Sequence, residues 1–265
     1  MKTVPNHPAR GAAHRKPIDK LAIVAFIGAF LFAFATIVGA LITADYSTFR
    51  QEISALASQE APHPVVMIIG FFGLSLALSA TGAALWKEMP IRSGRVGAIF
   101  VLLAGFGVGI AGAAREDCEP AGLSGAAAAC RAREETNSVS ASHVLHNLVS
   151  LAAFLLAIAA CFTLARAINR LGNRRLTFIA RMVGLTSILL FAFIASGIFE
   201  NFSGLVQRIF LLLTFGWLMV LPKLIRRHRS QSRRQQWLPQ PTASRERKGG
   251  PTLEEQEVEG VAGGG

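Results

Sequence analysis

The chain has 265 residues, of which 52% are hydrophobic and 16% charged, with a mean hydropathy of +0.44 and a formal net charge of +11. Soluble domains carry about 25% charged residues, and here the charges are confined to segments between long runs without ionisable groups, which excludes an ordinary soluble domain. The basic excess forms no stripe on a folded surface, so no nucleic-acid partner is expected.

Residues 1–20 are polar and basic and are expected to be disordered. Six apolar runs follow, at 21–43, 65–86, 96–114, 144–165, 178–199 and 205–222. Each approaches the ~20 residues that a helix needs to cross a bilayer. They are continuously apolar rather than alternating, which predicts helices and not barrel strands. The first run is too long for a cleaved signal peptide and is followed by five more, so it reads as a retained signal-anchor.

The first connection holds Asp45, Tyr46, Arg50, Glu52, Ser54 and His63. Phe49, Ile53 and Leu56 recur there at helical spacing, which predicts a short amphipathic helix lying on the membrane surface. In the third run Gly105 and Gly109 share a helix face, and their role is expected to be packing within the monomer. The third connection carries Asp117 and two cysteines, Cys118 and Cys130. In the oxidising space outside a bacterial inner membrane these form a candidate disulfide, stabilising by roughly 3 kcal/mol. Cys161, within the fourth run, reads as a small apolar core residue. His143 and His146, three apart, open the fourth run, and Glu200 lies in the tight fifth connection. Residues 223–265 turn from basic to Pro- and Gly-rich to acidic and are expected to be a disordered cytoplasmic tail.

Charge sets the expected direction. The first 20 residues, the second and fourth connections and the tail hold 21 of the 27 Lys and Arg residues. The first, third and fifth connections hold only Arg50, Arg115, Arg131 and Arg133. The positive-inside rule then places both termini in the cytoplasm. Trp86 and Trp217 near the cytoplasmic ends, and Tyr46 near the outer end, read as interfacial aromatics. The expected architecture is an all-α, six-helix membrane bundle over residues 21–222 in a bacterial inner membrane.

The outer segment Tyr46-x-x-x-Arg50-Gln51-x-Ile53-Ser54-x-Leu56 resembles the bacterial and archaeal membrane family called domain of unknown function 998. The resemblance covers roughly residues 20–222. It implies six spans, an acidic residue after the third (matched by Asp117) and a His opening the fourth (His143 or His146). The family's third connection is usually shorter, so the cysteine-bearing segment departs from it. The family implies no activity. Fragment-one-like membrane proteins are similar in helix number only distantly.

Three functional classes remain open. Arg50, Glu52, Ser54, His63, Asp117, His143, His146 and Glu200 form an expected polar cluster on the outer face. Arg50 paired with Glu52, Asp117 or Glu200 would pin the cap to the bundle, supporting a non-enzymatic role in binding or organising lipids or a partner membrane protein. His143, His146 and Glu200 as zinc ligands would make an outer-leaflet hydrolase or lipid-modifying enzyme, although a bare His-x-x-His lacks the fixed spacing of a metal motif. A small-solute permease is the third class, but no run carries an Asp, Glu, Lys or His near its centre. No cofactor motif is present.

Overall fold

The computed structural model describes the backbone of residues 15–118, 124–196 and 200–237, and the side chains of 20–118, 129–196 and 201–231. Seven α-helices account for most of them: α1 (Arg15–Ile42), α2 (Pro64–Glu88), α3 (Arg92–Ala113), α4 (Ser124–Glu135), α5 (Ala141–Arg170), α6 (Arg174–Ser196) and α7 (Ser203–Trp237). No strand occurs among the described residues. All but α4 are long and apolar enough to span a bilayer. The chain is an integral membrane protein built as a six-span helical bundle.

Small residues decide which helices touch. A Cβ on Gly28 of α1 would lie 2.3 Å from the carbonyl oxygen of Gly73 on α2, so only glycine permits that crossing. Gly105 and Gly109 of α3 face Ser79 and Ser75 of α2, so their shared face packs within the monomer as the sequence predicts. These contacts bring α1, α2, α3, α5 and α6 together as successive neighbours. α7 stands farther off, because bulky rings fill the gap. Phe154 of α5 meets Phe210 of α7 with centroids 4.9 Å apart, and Phe191 of α6 joins them at 6.2 Å from Phe154. Large exposed side chains such as Phe26, Leu41, Leu148 and Leu212 ring the outside, where lipid tails replace water.

The two ends of the bundle differ. Where α2 and α7 approach their C-terminal halves, Leu85, Met89, Leu164, Ile168, Leu218 and Leu221 are buried in one apolar cluster. At the other end the first and third connections fold over the bundle as a cap. The α5–α6 turn lies at the closed end, with Gly172 in the left-handed region at φ +78° and Asn173 Oδ1 accepting from the Leu176 N–H.

Several expectations are corrected. The first connection contains no surface amphipathic α-helix; its one helical piece is the 3-10 turn Ser54–Ala57, and all four residues are buried. Ile53 and Leu56 point into the bundle while Phe49 is exposed, so the apolar spacing marks a segment folded inward. Residues 15–20 are helical, as the start of α1, and residues 223–237 continue α7 in place of the expected disorder. The last stretch of α7 belongs to a separate unit beginning at Arg227. The expected disorder of 1–14 and 238–265 falls outside the described residues. The third connection contains α4.

Candidate functional site

The cap is fastened to the start of α7. Arg208 donates from Nη1 to the carbonyls of Thr48, Gln51 and Gly204 at 2.9, 3.0 and 2.9 Å, and from Nη2 to the Tyr46 hydroxyl. That hydroxyl in turn donates to the Glu52 carbonyl at 2.9 Å. The Leu205 N–H, an orphan donor in the first turn of α7, is satisfied by the Phe49 carbonyl at 3.1 Å. A Cβ on Gly204 would lie 2.1 Å from the Gln51 oxygen, so the backbone contact requires glycine. Gln207 completes the joint: its Oε1 accepts from the Ile53 N–H and its Nε2 donates to Glu52 Oε2, both at 2.8 Å.

A second joint ties the first connection to the third. Arg115 donates to the carbonyls of Ala57 and Ser58, and the Gln59 N–H donates to the Glu116 carbonyl at 2.8 Å. Asp117 accepts from Gln59 Nε2 and from both the N–H and hydroxyl of Ser140, the N-cap of α5. Burial works against its charge, but the Ser140 hydrogen bonds, with His143 and Arg133 nearby, outweigh it and hold the carboxyl below its ordinary value. Cys118 and Cys130 form a disulfide with Cα atoms 5.8 Å apart, tying the end of the third connection to α4.

The two histidines serve different partners. His143 Nδ1 accepts from the Asp117 N–H at 3.2 Å, so in the neutral ring Nε2 carries the proton and donates to Glu134 Oε1 at 3.1 Å. The Asn147 amide nitrogen lies 2.9 Å from the same Nε2. The His146 ring is directed the other way. Its Nδ1 lies 2.8 and 2.7 Å from the carbonyl oxygens of Ala111 and Ala114 at the end of α3, so Nδ1 is the donor. Nε2 faces Glu116 Oε1 at 3.1 Å, an imidazole–carboxylate pair on side chains that are 5% and 7% exposed.

Beneath these joints lies a cavity of about 670 Å3 lined by all six spans and by both connections. Glu52, Ser54, Glu116, Glu134, His146, Asn147, Ser150 and Gln207 make its polar end. Phe32, Phe71, Leu74, Phe154, Phe191 and Phe215 make its apolar end. Leu74 is ten residues along α2, roughly 15 Å at 1.5 Å per residue, so the cavity reaches toward mid-bilayer depth. Glu52 sits where the first connection turns inward. Burial raises its carboxyl to about 7, and the Glu116 charge adds to the rise, partly offset by His146 and Arg208.

Of the expected cluster, Glu52, Ser54 and His146 line this cavity, and Asp117 and His143 hold its rim. Arg50 is exposed and forms no ion pair with Glu52 or Asp117, while its third expected partner, Glu200, has its side chain outside the described residues; Arg208 fastens the cap to α7. His63 is exposed at the start of α2, apart from the cavity. The Glu200 side chain falls outside the described residues. Among the described residues no three His, Cys, Asp or Glu side chains are arranged to hold a metal, and His143 and His146 do not converge. Sequence reasoning passed over Glu116 and Gln207. Glu116 looked like one more loop charge beside Arg115 and Asp117. Gln207 carried a usable signal, as a lone amide opening an otherwise apolar span.

A family model described as a protein of unknown function (DUF998) matches residues 26–222. No curated protein and no solved structure matches the chain.

Proposed function

The chain belongs to the family described as a protein of unknown function (DUF998), and on that premise we propose that it is a membrane-embedded, non-enzymatic binding protein that houses a lipid-like amphiphile beneath its cap. The observation carrying this reading is the polarity gradient of one cavity: carboxylates, an imidazole and an amide at the cap, Phe and Leu side chains below. Its volume of about 670 Å3 falls within the roughly 300–1,000 Å3 of small-molecule sites, which are mostly apolar with a few placed polar groups. An amphiphile drawn from the bilayer satisfies both ends at once.

In this reading the membrane is a bacterial inner membrane, the termini are cytoplasmic, and the cap lies at the outer leaflet. The alternation of Lys and Arg along the chain supports that direction. The Cys118–Cys130 pair on the cap side supports it independently, since disulfides persist in oxidising compartments.

The other two classes have less support. A zinc hydrolase needs ligands that converge, whereas His143 is engaged by Asp117 and Glu134, and His146 by α3 carbonyls and Glu116. A permease needs a path through the far half, where Leu85, Met89, Leu164, Leu218 and Leu221 are closely packed.

The test is photo-crosslinking with a bilayer-incorporated lipid carrying a photoreactive acyl chain, followed by peptide mapping. Adducts on Ser150, Phe154 or Phe215 are expected. Adducts confined to lipid-facing positions such as Phe26 and Leu212 would overturn the reading.

A further inference from the structure

At the end of the bundle away from the cap, a second cleft of about 480 Å3 lies between α1, α2 and α7. We propose that it binds an acyl chain of an anionic phospholipid, whose phosphate is held by Lys223 and Arg226. The cleft shares no lining residue with the cavity beneath the cap, so neither reading depends on the other.

The shape follows from the packing. Gly28 and Gly73 draw α1 and α2 together, while the rings of Phe154 and Phe210 hold α7 off. Ala25 and Ala29 of α1 and Ala80 and Ala84 of α2 floor the gap that remains, and α7 bounds it with Gly216 and Met219. Every other glycine of the six spans would bring a Cβ within 3.3 Å of a neighbour, so each admits a close contact. At Gly216 the nearest atom is Leu212 Cδ1, in its own helix, at 4.0 Å. Glycine disfavours a helix relative to alanine, and here no contact calls for it; what it leaves is open space in the cleft. From Gly216 to Arg226 is ten residues, roughly 15 Å at 1.5 Å per residue, or half of a hydrocarbon core of about 30 Å. The cleft has the depth of one leaflet.

Charge identifies the head group. Lys223 and Arg226, three apart on one face of α7, line the mouth of the cleft, and no Asp or Glu lines it. Lys223 is exposed and forms no ion pair or hydrogen bond among the described residues. Apolar walls that end in two cations match a ligand with an acyl tail and an anionic head. A phosphodiester brings oxygens that both cations can reach, and it sits where a phospholipid carries it, at the edge of the hydrocarbon. A zwitterionic lipid brings its own ammonium as well, which is repelled by Lys223 and Arg226 and offsets the attraction.

The experiment uses the full chain in phosphatidylcholine nanodiscs that hold a small fraction of phosphatidylglycerol with a photoreactive acyl chain, followed by peptide mapping. Adducts on Ala25, Ala84 or Met219 are expected. Unlabelled phosphatidylglycerol should displace them at least about tenfold more effectively than phosphatidylethanolamine. Lys223→Ala should weaken the labelling by about fivefold and Lys223→Ala/Arg226→Ala by about thirtyfold, whereas Lys223→Arg should keep it. Gly216→Leu places a side chain in the open space and should remove the adducts on Ala25 and Ala84. Equal displacement by the two lipids overturns the proposal, as does unchanged labelling in the double variant or in Gly216→Leu. Benzoylphenylalanine in place of Ala22, which is exposed at the rim, should react with lipid. Reaction with a second copy of the chain instead would make the cleft a protein interface and overturn the proposal as well. These outcomes leave labelling at Ser150, Phe154 and Phe215 untouched, so the reading of the cavity beneath the cap stands or falls separately.

Discussion

Gln207 Nε2 donates to Glu52 Oε2 at 2.8 Å, across 155 residues of sequence, and joins the first connection to the last span. Because the other end of the same amide accepts from the Ile53 N–H, one side chain fixes both the cap backbone and the cavity's carboxylate. The cap is thereby part of the cavity wall rather than a cover laid over it.

Gln207→Leu removes this joint while keeping similar volume. The Ile53 N–H, in a buried segment, loses its acceptor, and Glu52 loses a donor. Stability is expected to fall by about 1–3 kcal/mol, read as a lower thermal midpoint in detergent. A midpoint equal to the native one would show that the joint contributes nothing.

Glu52 should make stability pH-dependent. Its carboxyl is raised from 4.5 to about 7, first by burial and then by Glu116, against His146 and Arg208. The folded chain therefore holds a proton that the unfolded chain releases. Stability from this group is full below about 4.5 and is lost as pH rises to about 7. The total is on the order of 3 kcal/mol at 1.36 kcal/mol per unit. The melting midpoint of the native chain should fall across that window more steeply than that of Glu52→Gln, which has no carboxyl to ionise. Parallel curves would contradict this.

Arg208→Lys keeps the charge and loses the fork. A single ammonium cannot reach the carbonyls of Thr48, Gln51 and Gly204 together with the Tyr46 hydroxyl in the geometry that the guanidinium provides. The first connection should become sensitive to limited proteolysis near Phe49 and Arg50, and Arg208→Ala more so. Equal resistance in all three proteins would place the fastening elsewhere.

Reduction should loosen the third connection. The Cys118–Cys130 bond closes a short loop with a separation of 12 residues, for which the chain-entropy account gives roughly 3 kcal/mol. Both Cys118→Ala/Cys130→Ala and a thiol reductant should lower the thermal midpoint, whereas Cys161→Ala should leave the response to reductant intact. No effect of reductant on the native chain would contradict the pairing.

The spans were legible because a bilayer demands long apolar runs: the helix Pro64–Glu88 contains the run read at 65–86, and Arg92–Ala113 covers the run read at 96–114 but for its last residue. The cap was legible in its residues and not in its form. Phe49, Ile53 and Leu56 have the spacing of an amphipathic helix, but burial of Ile53 and Leu56 against the bundle selects a 3-10 turn. The spacing of His143 and His146 placed both on α5, yet a helix face spans enough angle for one ring to meet α4 and the other α3. The fastening by Arg208 was not legible, since partners 160 residues apart leave no local pattern to read.

The most direct test of the amphiphile reading is native mass spectrometry of the chain extracted from its own membrane in polymer-bounded discs, beside Ser150→Phe. A bound amphiphile of defined mass on the native chain, lost from Ser150→Phe while the variant keeps its thermal midpoint, is the predicted result. A native chain without any retained amphiphile, or equal retention by both proteins, would contradict the account.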